Sequence, residues 1–377
     1  GQIMMATLLG WMPARRRAHA FCRALSATPA SNIGSHPIQV PRIDLDALAP
    51  GGGSCSVAAR SEMLARLRAA VTERPGFFTV VVPPRLLPPE AVDDAYDAGR
   101  AFFCDLPDAA KARYHMSLDE RARGWTPRGE EPSYEAGRPQ LVECFDVGRE
   151  LPAGGSNGDV NMGPNVWPRD ELPFFEPRVR GLYDQLTGVS QVLFCAFAEA
   201  LHLPSDTFRA HATENARATM RLLRYAPGAV SEGGSGVASA DGGGEIGISA
   251  HTDFECFTLI SQSAPGLQLQ AARGCGDPAP WVDAPATQRG EFIVMVADML
   301  ERWTNGALRA TPHRVRAVPW ERMSVVRFNG VASGTVIAPL PAFGAPRYSA
   351  CTMGEHMDRI YESLNSGRGA QGTAAWS

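Results

Sequence analysis

A chain of 377 residues, 44% hydrophobic and 20% charged, has a globular composition and suffices for one large domain or two ordinary ones. Its 36 basic residues against 40 acidic ones leave a net charge of −4, which provides no electrostatic footprint for nucleic acid or for an anionic membrane surface. Lys111 is the single lysine, so Schiff-base chemistry and a P-loop lysine are excluded unless Lys111 itself serves.

Residues 1–39 contain no acidic residue and carry Arg15, Arg16, Arg17 and Arg23. The apolar stretch Met4–Met12 precedes these arginines, the reverse of a secretory signal, so the segment is read as a disordered or organelle-targeting extension. Folded sequence is expected from Val40, with a short strand over VPRIDL. Residues 61–73 place Leu64, Leu67 and Val71 on one helical face, and GFFTVVV (76–82) reads as a buried strand stopped by Pro83 and Pro84. Further helices are expected over 90–104 and 177–202, the second with Val179, Leu182, Leu186, Val189, Leu193 and Phe197 at helical spacing.

After residue 218 the texture changes to short β-like runs: MRLLRYAP, CFTLISQ, LQLQ, EFIVMVAD, RATPHRV and RMSVVRFNGV. Such runs between turn residues predict an antiparallel sandwich or barrel. The glycine-rich stretch 228–247 reads as a surface loop, or more sharply as a mobile lid beside the site. MGEHMDRIYESL (353–364) predicts a helix, and 365–377 a frayed tail. The cysteines at 22, 55, 104, 144, 195, 256, 275 and 351 form no Cys-x-x-Cys pair. They are therefore expected as free thiols in a reducing compartment, the cytoplasm. No apolar run is long enough to span a membrane.

The candidate chemistry lies in His251, Asp253 and His313. A His-x-Asp pair on an extended backbone turns both side chains to one side, and His313 sits in another β-like run 60 residues after Asp253. Two histidines and one carboxylate compose the face that holds non-haem Fe(II), leaving open positions for co-substrate and O2. Nine residues after His313 come Arg322 and Ser324, again spaced to share a strand face. A guanidinium facing a barrel interior needs an anion, and it binds a carboxylate bidentately; the plainer reading is an exposed sheet face. Phe254, Phe257, Phe292 and Phe328 read as core, one of them doubling as substrate wall. Trp125 and Arg128 are candidates for a pocket rim, although an ordinary loop is the favoured reading, and His115, His202, His211, His356 and Cys256 read as structural or solvated.

SAHTDFECFTLISQSAPGLQL (249–269), VADMLERWTNGALRATPHRV (296–315) and the Arg-x-Ser pair resemble the isopenicillin N synthase-like 2-oxoglutarate/Fe(II) oxygenases, as do VPRIDLD, GFFTVV, FFCDLPDAAKARY, RGWTPRGEE and ECFDVGRE. The resemblance runs from about residue 40 to 364. It implies a mainly β fold with flanking helices: a double-stranded β-helix, or jelly roll, over 206–364, with a helical cap over 40–205 as an annex. It implies that His251, Asp253 and His313 bind iron and that Arg322, Ser324 and Tyr225 bind 2-oxoglutarate. Many members carry asparagine where Leu223 stands, which puts the detailed co-substrate contacts in question. The implied reaction is oxidation of a small molecule (hydroxylation, desaturation or cyclisation) by Fe(II), 2-oxoglutarate and O2, with release of succinate and CO2. An oxidase without 2-oxoglutarate and a non-catalytic binder on the same scaffold are the alternatives. The protein is expected as a monomer without nucleic-acid or membrane partners.

Overall fold

The computed structural model describes residues 40–52, 56–73, 75–119, 121–135, 139–152, 162–228, 246–270 and 281–365. The extension at 1–39, most of the glycine-rich stretch and the tail beyond Asn365 lie outside the described residues. In chain order the strands are β1 (Arg42–Asp44), β2 (Phe77–Val81), β3 (Gly124–Thr126), β4 (Glu143–Val147), β5 (Ala216–Tyr225), β6 (Ile246–His251), β7 (Phe257–Gln262), β8 (Leu267–Gln270), β9 (Trp281–Asp283), β10 (Glu291–Val296), β11 (His313–Arg316), β12 (Arg322–Ala332), β13 (Val336–Ile337) and β14 (Cys351–Thr352). The main helices are α1 (Val57–Thr72), α2 (Ala91–Arg100), α3 (Phe175–Ala200), α4 (Asp298–Trp303) and α5 (Met353–Asn365).

Local chemistry explains these elements. α1 starts at Val57, earlier than periodicity suggests, because the Ser56 hydroxyl accepts the Ala59 amide at 3.1 Å and caps the first turn. α3 buries the expected stripe, Val179 through Phe197. The strand runs alternate between two apolar cores rather than between core and water. On β10, Phe292, Val294 and Val296 face one core, while Ile293 and Met295 face the other. On β12, Met323 and Val325 join the first core and Val326 the second. With both faces covered, such strands read as continuous apolar runs.

The large sheet has the order β1-β2-β10-β7-β12-β5-β4-β3, and a smaller one the order β6-β11-β8-β9. All neighbours pair antiparallel except β1 with β2. One core joins the outer face of the large sheet to α1, α2 and α3, with Phe194 and Phe197 packed on Phe257 at 4.8 and 5.3 Å between ring centroids. The second core lies between the sheets, where Ile248, Leu267, Leu269 and Val315 meet Leu223, Ile260, Ile293 and Val326. Two sheets closed face to face with helices outside form the expected jelly roll. β1 to β4 belong to the same sheet as β5, β7, β10 and β12, so the N-terminal half completes the roll as well as capping it.

Candidate active site

A cleft opens between the sheets. Its floor is made of alternate residues: Arg322, Ser324, Val326 and Phe328 on β12, and Arg221, Leu223 and Tyr225 on β5. Antiparallel register sets Arg322 opposite Tyr225 and Ser324 opposite Leu223. The smaller sheet closes the cleft with Ile248 and His251, Leu267, His313 and Val315.

β11 pairs with β6 so that His313 stands opposite His251, with ring centroids 4.2 Å apart. The expectation of an extended backbone through Asp253 needs correction: β6 ends at His251, and Asp253 stands in the turn towards β7. Convergence survives, since Asp253 Oδ1 lies 3.5 Å from Nε2 of both His251 and His313. The ligand-capable atoms of the three residues all fall within 4.8 Å of one another. Nδ1 of His251 donates to the Ser249 carbonyl at 2.9 Å, and Nδ1 of His313 to the Thr311 carbonyl at 3.0 Å. Each ring therefore keeps its proton on Nδ1 and presents an Nε2 lone pair to the shared space. The Thr258 hydroxyl donates to Asp253 Oδ2 and so aims Oδ1 at the imidazoles.

Burial pushes His313 down to about 4, against the pull of Asp253, so the ring is neutral at neutral pH. Burial would raise Asp253, but the two imidazoles and the Thr258 hydroxyl outweigh it and hold the carboxyl at about 2. Tyr134 covers His251 in a parallel stack, with centroids 4.0 Å apart and planes at 9°.

Arg322 and Ser324 are each 1% exposed, which overturns the exposed-face reading. Arg322 Nε donates to the Ala264 carbonyl at 3.1 Å and Nη2 to Gln262 Oε1 at 2.7 Å, and the guanidinium lies 4.6 Å from the Tyr225 ring centroid. Gln262 is itself held, its amide nitrogen donating to the Pro285 carbonyl at 2.7 Å and the Ala284 carbonyl at 3.3 Å. Its oxygen is thereby directed at Arg322. Gly266, at φ +153°, passes so close that a Cβ there would sit 3.0 Å from Arg322 Cδ. Arg322 Nη1 and Ser324 Oγ remain, both buried without a partner. Leaving such a group unpaired costs about 1–3 kcal/mol, so among the described residues the pair is a place where an anion would be stabilised. Burial pushes the Tyr225 phenol up to about 12 despite Arg322, which keeps it neutral.

All six residues singled out as ligands therefore line one cleft. Phe328 both packs on the inter-sheet core and lines the cleft, whereas Phe257 and Phe292 are core. Trp125 is not a rim residue: it is buried, with Nε1 donating to Glu143 at 2.8 Å. Arg128 does not line the cleft either. Lys111 is buried against Glu143 and Asp108, and burial pushes the packed Cys256 thiol up. The sequence reading missed Tyr134, Gln140, Thr258 and Gln262, along with Glu131 and Arg221. Thr258 and Gln262 lie inside the quoted stretch 249–269, Glu131 ends RGWTPRGEE and Arg221 shares the β5 period of two with Tyr225. Nothing in spacing alone singles them out, and Tyr134 and Gln140 come from a cap loop with no periodicity.

Comparison with known proteins adds the family. Residues 40–170 match the N-terminal region of the non-haem dioxygenase in morphine synthesis. Residues 219–330 match the 2OG-Fe(II) oxygenase superfamily. A homoarginine-6-hydroxylase of Glycine max is 30% identical over 78% of this chain and 87% of its own. A 2-oxoglutarate-dependent dioxygenase of Talaromyces stipitatus is 27% identical over 85% of this chain and 93% of its own. Among solved structures, a 2OG-Fe(II) oxygenase family protein from Caulobacter crescentus superposes with a TM-score of 0.66 at 26% identity, covering 86% of this chain and 99% of that one. Neurospora crassa T7H in complex with alpha-KG shares the fold with a TM-score of 0.70 at 22% identity, over 88% of this chain and 98% of that one. The chain belongs to the 2-oxoglutarate/Fe(II)-dependent dioxygenases, and it is an oxidoreductase that uses Fe(II), 2-oxoglutarate and O2 to oxidise a small organic molecule.

Proposed function

We propose that His251, Asp253 and His313 hold the iron and that Arg322, Ser324 and Tyr225 hold the far carboxylate of 2-oxoglutarate. The observation that carries this reading is the partnerless buried pair Arg322 Nη1 and Ser324 Oγ, in the same cleft as two imidazoles and one carboxylate. Such a donor set suits Fe(II) and leaves about three octahedral positions open. When bound, the iron couples oxidative decarboxylation of 2-oxoglutarate, to succinate and CO2, with hydroxylation, desaturation or cyclisation of the substrate.

The chain's own part is orientation. Backbone carbonyls keep the imidazoles in the ligating tautomer, and Thr258 turns Asp253 inward. Gln262 and Ala264 occupy two sides of the Arg322 guanidinium so that Nη1 alone faces the incoming carboxylate. Residues 40–205 and 206–364 act as cap and core of one catalytic unit, which the shared large sheet supports. Among the described residues no helix is long and apolar enough to cross a membrane. We read the protein as a monomer without nucleic-acid or membrane partners, placed in the cytoplasm unless residues 1–39 direct it to an organelle.

The test is aerobic incubation with Fe(II), 2-oxoglutarate and a metabolite library, followed by mass spectrometry. Succinate should form in step with a product that has gained oxygen or lost hydrogen. Equal succinate formation by His313→Ala would sink the assignment.

A further inference from the structure

The cleft contains a second polar group that neither iron nor 2-oxoglutarate engages. Arg221 lies on the same face of β5 as Tyr225 and turns into the cleft. Asp146, its partner across β4 and β5, takes Nε and Nη2 at 2.7 Å each, and Glu131 Oε1 takes Nη1. The guanidinium fork is thus already filled. A substrate carboxylate here would be a third acid on one cation. Arg123, also near Asp146, donates to Thr219 at 3.3 Å and does not line the cleft.

Glu131 is different. Its side chain is 9% exposed and lines the cleft, yet Arg221 uses only Oε1, so among the described residues Oε2 is spare. Gln140 supplies an independent sign of a missing ligand. It is 0% exposed and lines the same cleft, and its amide nitrogen donates to the Pro132 carbonyl at 2.8 Å, while its Oε1 is buried without a partner. Tyr134, from the same stretch of the cap, stacks on His251 and so sets this wall beside the candidate iron ligands. Both spare atoms are acceptors, and one carries charge.

We propose that Glu131 and Gln140 form the specificity site for the prime substrate and that they take a cationic nitrogen, a protonated amine or guanidinium, a role that rests on the iron and 2-oxoglutarate assignment above. An ionised acceptor with a neutral one beside it rewards N–H donors through charge-assisted hydrogen bonds, and it rejects a carboxylate head by like charge. Arg221, locked between Asp146 and Glu131, is a positioning residue that fixes Oε1 and leaves Oε2 for the substrate.

The full chain, loaded with Mn(II) in place of Fe(II) and saturated with 2-oxoglutarate, is titrated with methylguanidinium, butylammonium and butyrate. Paramagnetic broadening of each probe's proton signals reports binding near the metal. The two cations should bind saturably and butyrate should not. Glu131→Gln should weaken both cations by about tenfold to 100-fold, and Gln140→Leu should weaken them by less. Both variants should keep wild-type affinity for 2-oxoglutarate. Butyrate binding as tightly as the cations, no cation binding, or wild-type cation binding in both variants would each overturn the proposal. If Glu131→Gln does not fold, Gln140→Leu decides alone. Titration of 2-oxoglutarate into the wild type separates the two failures: no 2-oxoglutarate binding refutes the underlying assignment, whereas binding without cation affinity refutes only the specificity site.

Discussion

His313 serves the proposed centre by being neutral, which follows from burial against the pull of Asp253, and Asp253 by being charged, which follows from the imidazoles and Thr258 against burial. Removing any one of His251, Asp253 and His313 leaves too few donors, so each Ala variant should lose Fe(II)-dependent succinate formation and retained iron. Thr258→Val only releases Asp253 Oδ2, and it should cost about 10–100-fold in iron affinity or activity. Arg322 tests the co-substrate separately. Arg322→Ala should weaken 2-oxoglutarate binding by about 2–5 kcal/mol, or roughly 30-fold to several thousand-fold, with iron binding unchanged. Arg322→Lys should not restore it, because an ammonium cannot hold Ala264, Gln262 and the carboxylate in the fixed directions of a planar guanidinium. Gln262→Leu leaves Arg322 Nη2 unpaired and should weaken binding by about tenfold. Anaerobic titration of 2-oxoglutarate into the Fe(II)-loaded variants, followed through the metal-to-ligand absorption band, measures all three. If Arg322→Ala binds like wild type, Arg322 grips something other than 2-oxoglutarate. The Arg-x-Ser pair was legible because spacing of two on a strand guarantees one face. Gln262 was not, since its link to Arg322 depends on β7 lying beside β12.

Glu321, just before β12, ties the cap to the core: it accepts from Arg224 on β5 at 2.9 Å and from Arg100 at the end of α2 at 2.6 Å. Burial alone would raise its carboxyl, but the Arg224 hydrogen bond and the charges of Arg100 and Arg224 outweigh this and lower it below the ordinary value of 4.5. A depressed carboxyl contributes stability above its unfolded pKa and loses it as pH falls through the folded one. The melting temperature of wild type should therefore exceed that of Glu321→Gln at pH 6, and the gap should close in acid below about pH 4.5. A gap that persists at low pH would assign the effect to packing. The elements that periodicity reveals are long or doubly buried, such as α3 and β12. β3, the three residues Gly124–Thr126, carries too few residues for a pattern. β4, buried along its whole length, shows none because polar Glu143 and Asp146 find partners inside.

Among the described residues Cys104, Cys144, Cys195, Cys256 and Cys351 are free thiols, so the fold draws no support from cross-links between them. Burial raises all three of Cys104, Cys144 and Cys256, but Cys104 alone of them is exposed to reagent. Alkylation of the native protein without reductant should label Cys104 ahead of Cys144 and Cys256, and reductant should leave the melting temperature unchanged. A reductant-induced drop would contradict both the free thiols and the reducing compartment. The described residues are held by two cores that share one sheet, which explains why cap and core are expected to unfold together.

Local pattern alone determined the strand-rich C-terminal half, the helical stripes and the identity of the His, Asp, Arg and Ser candidates. Each of these follows from a period of two or 3.6 along the chain, and resemblance ordered them into one family. Tertiary structure decided which of them meet. His251 and His313 face each other through β6–β11 register, Asp253 reaches them from a turn, and Tyr134 arrives from a cap loop to cover His251. It also decided what is left over: partnerless atoms on Arg322, Ser324 and Gln140 emerge only after every nearer hydrogen bond has been made. Spacing specifies the direction of a side chain, but an unsatisfied atom is a property of everything packed around it, and that surrounding comes from segments far apart in the chain.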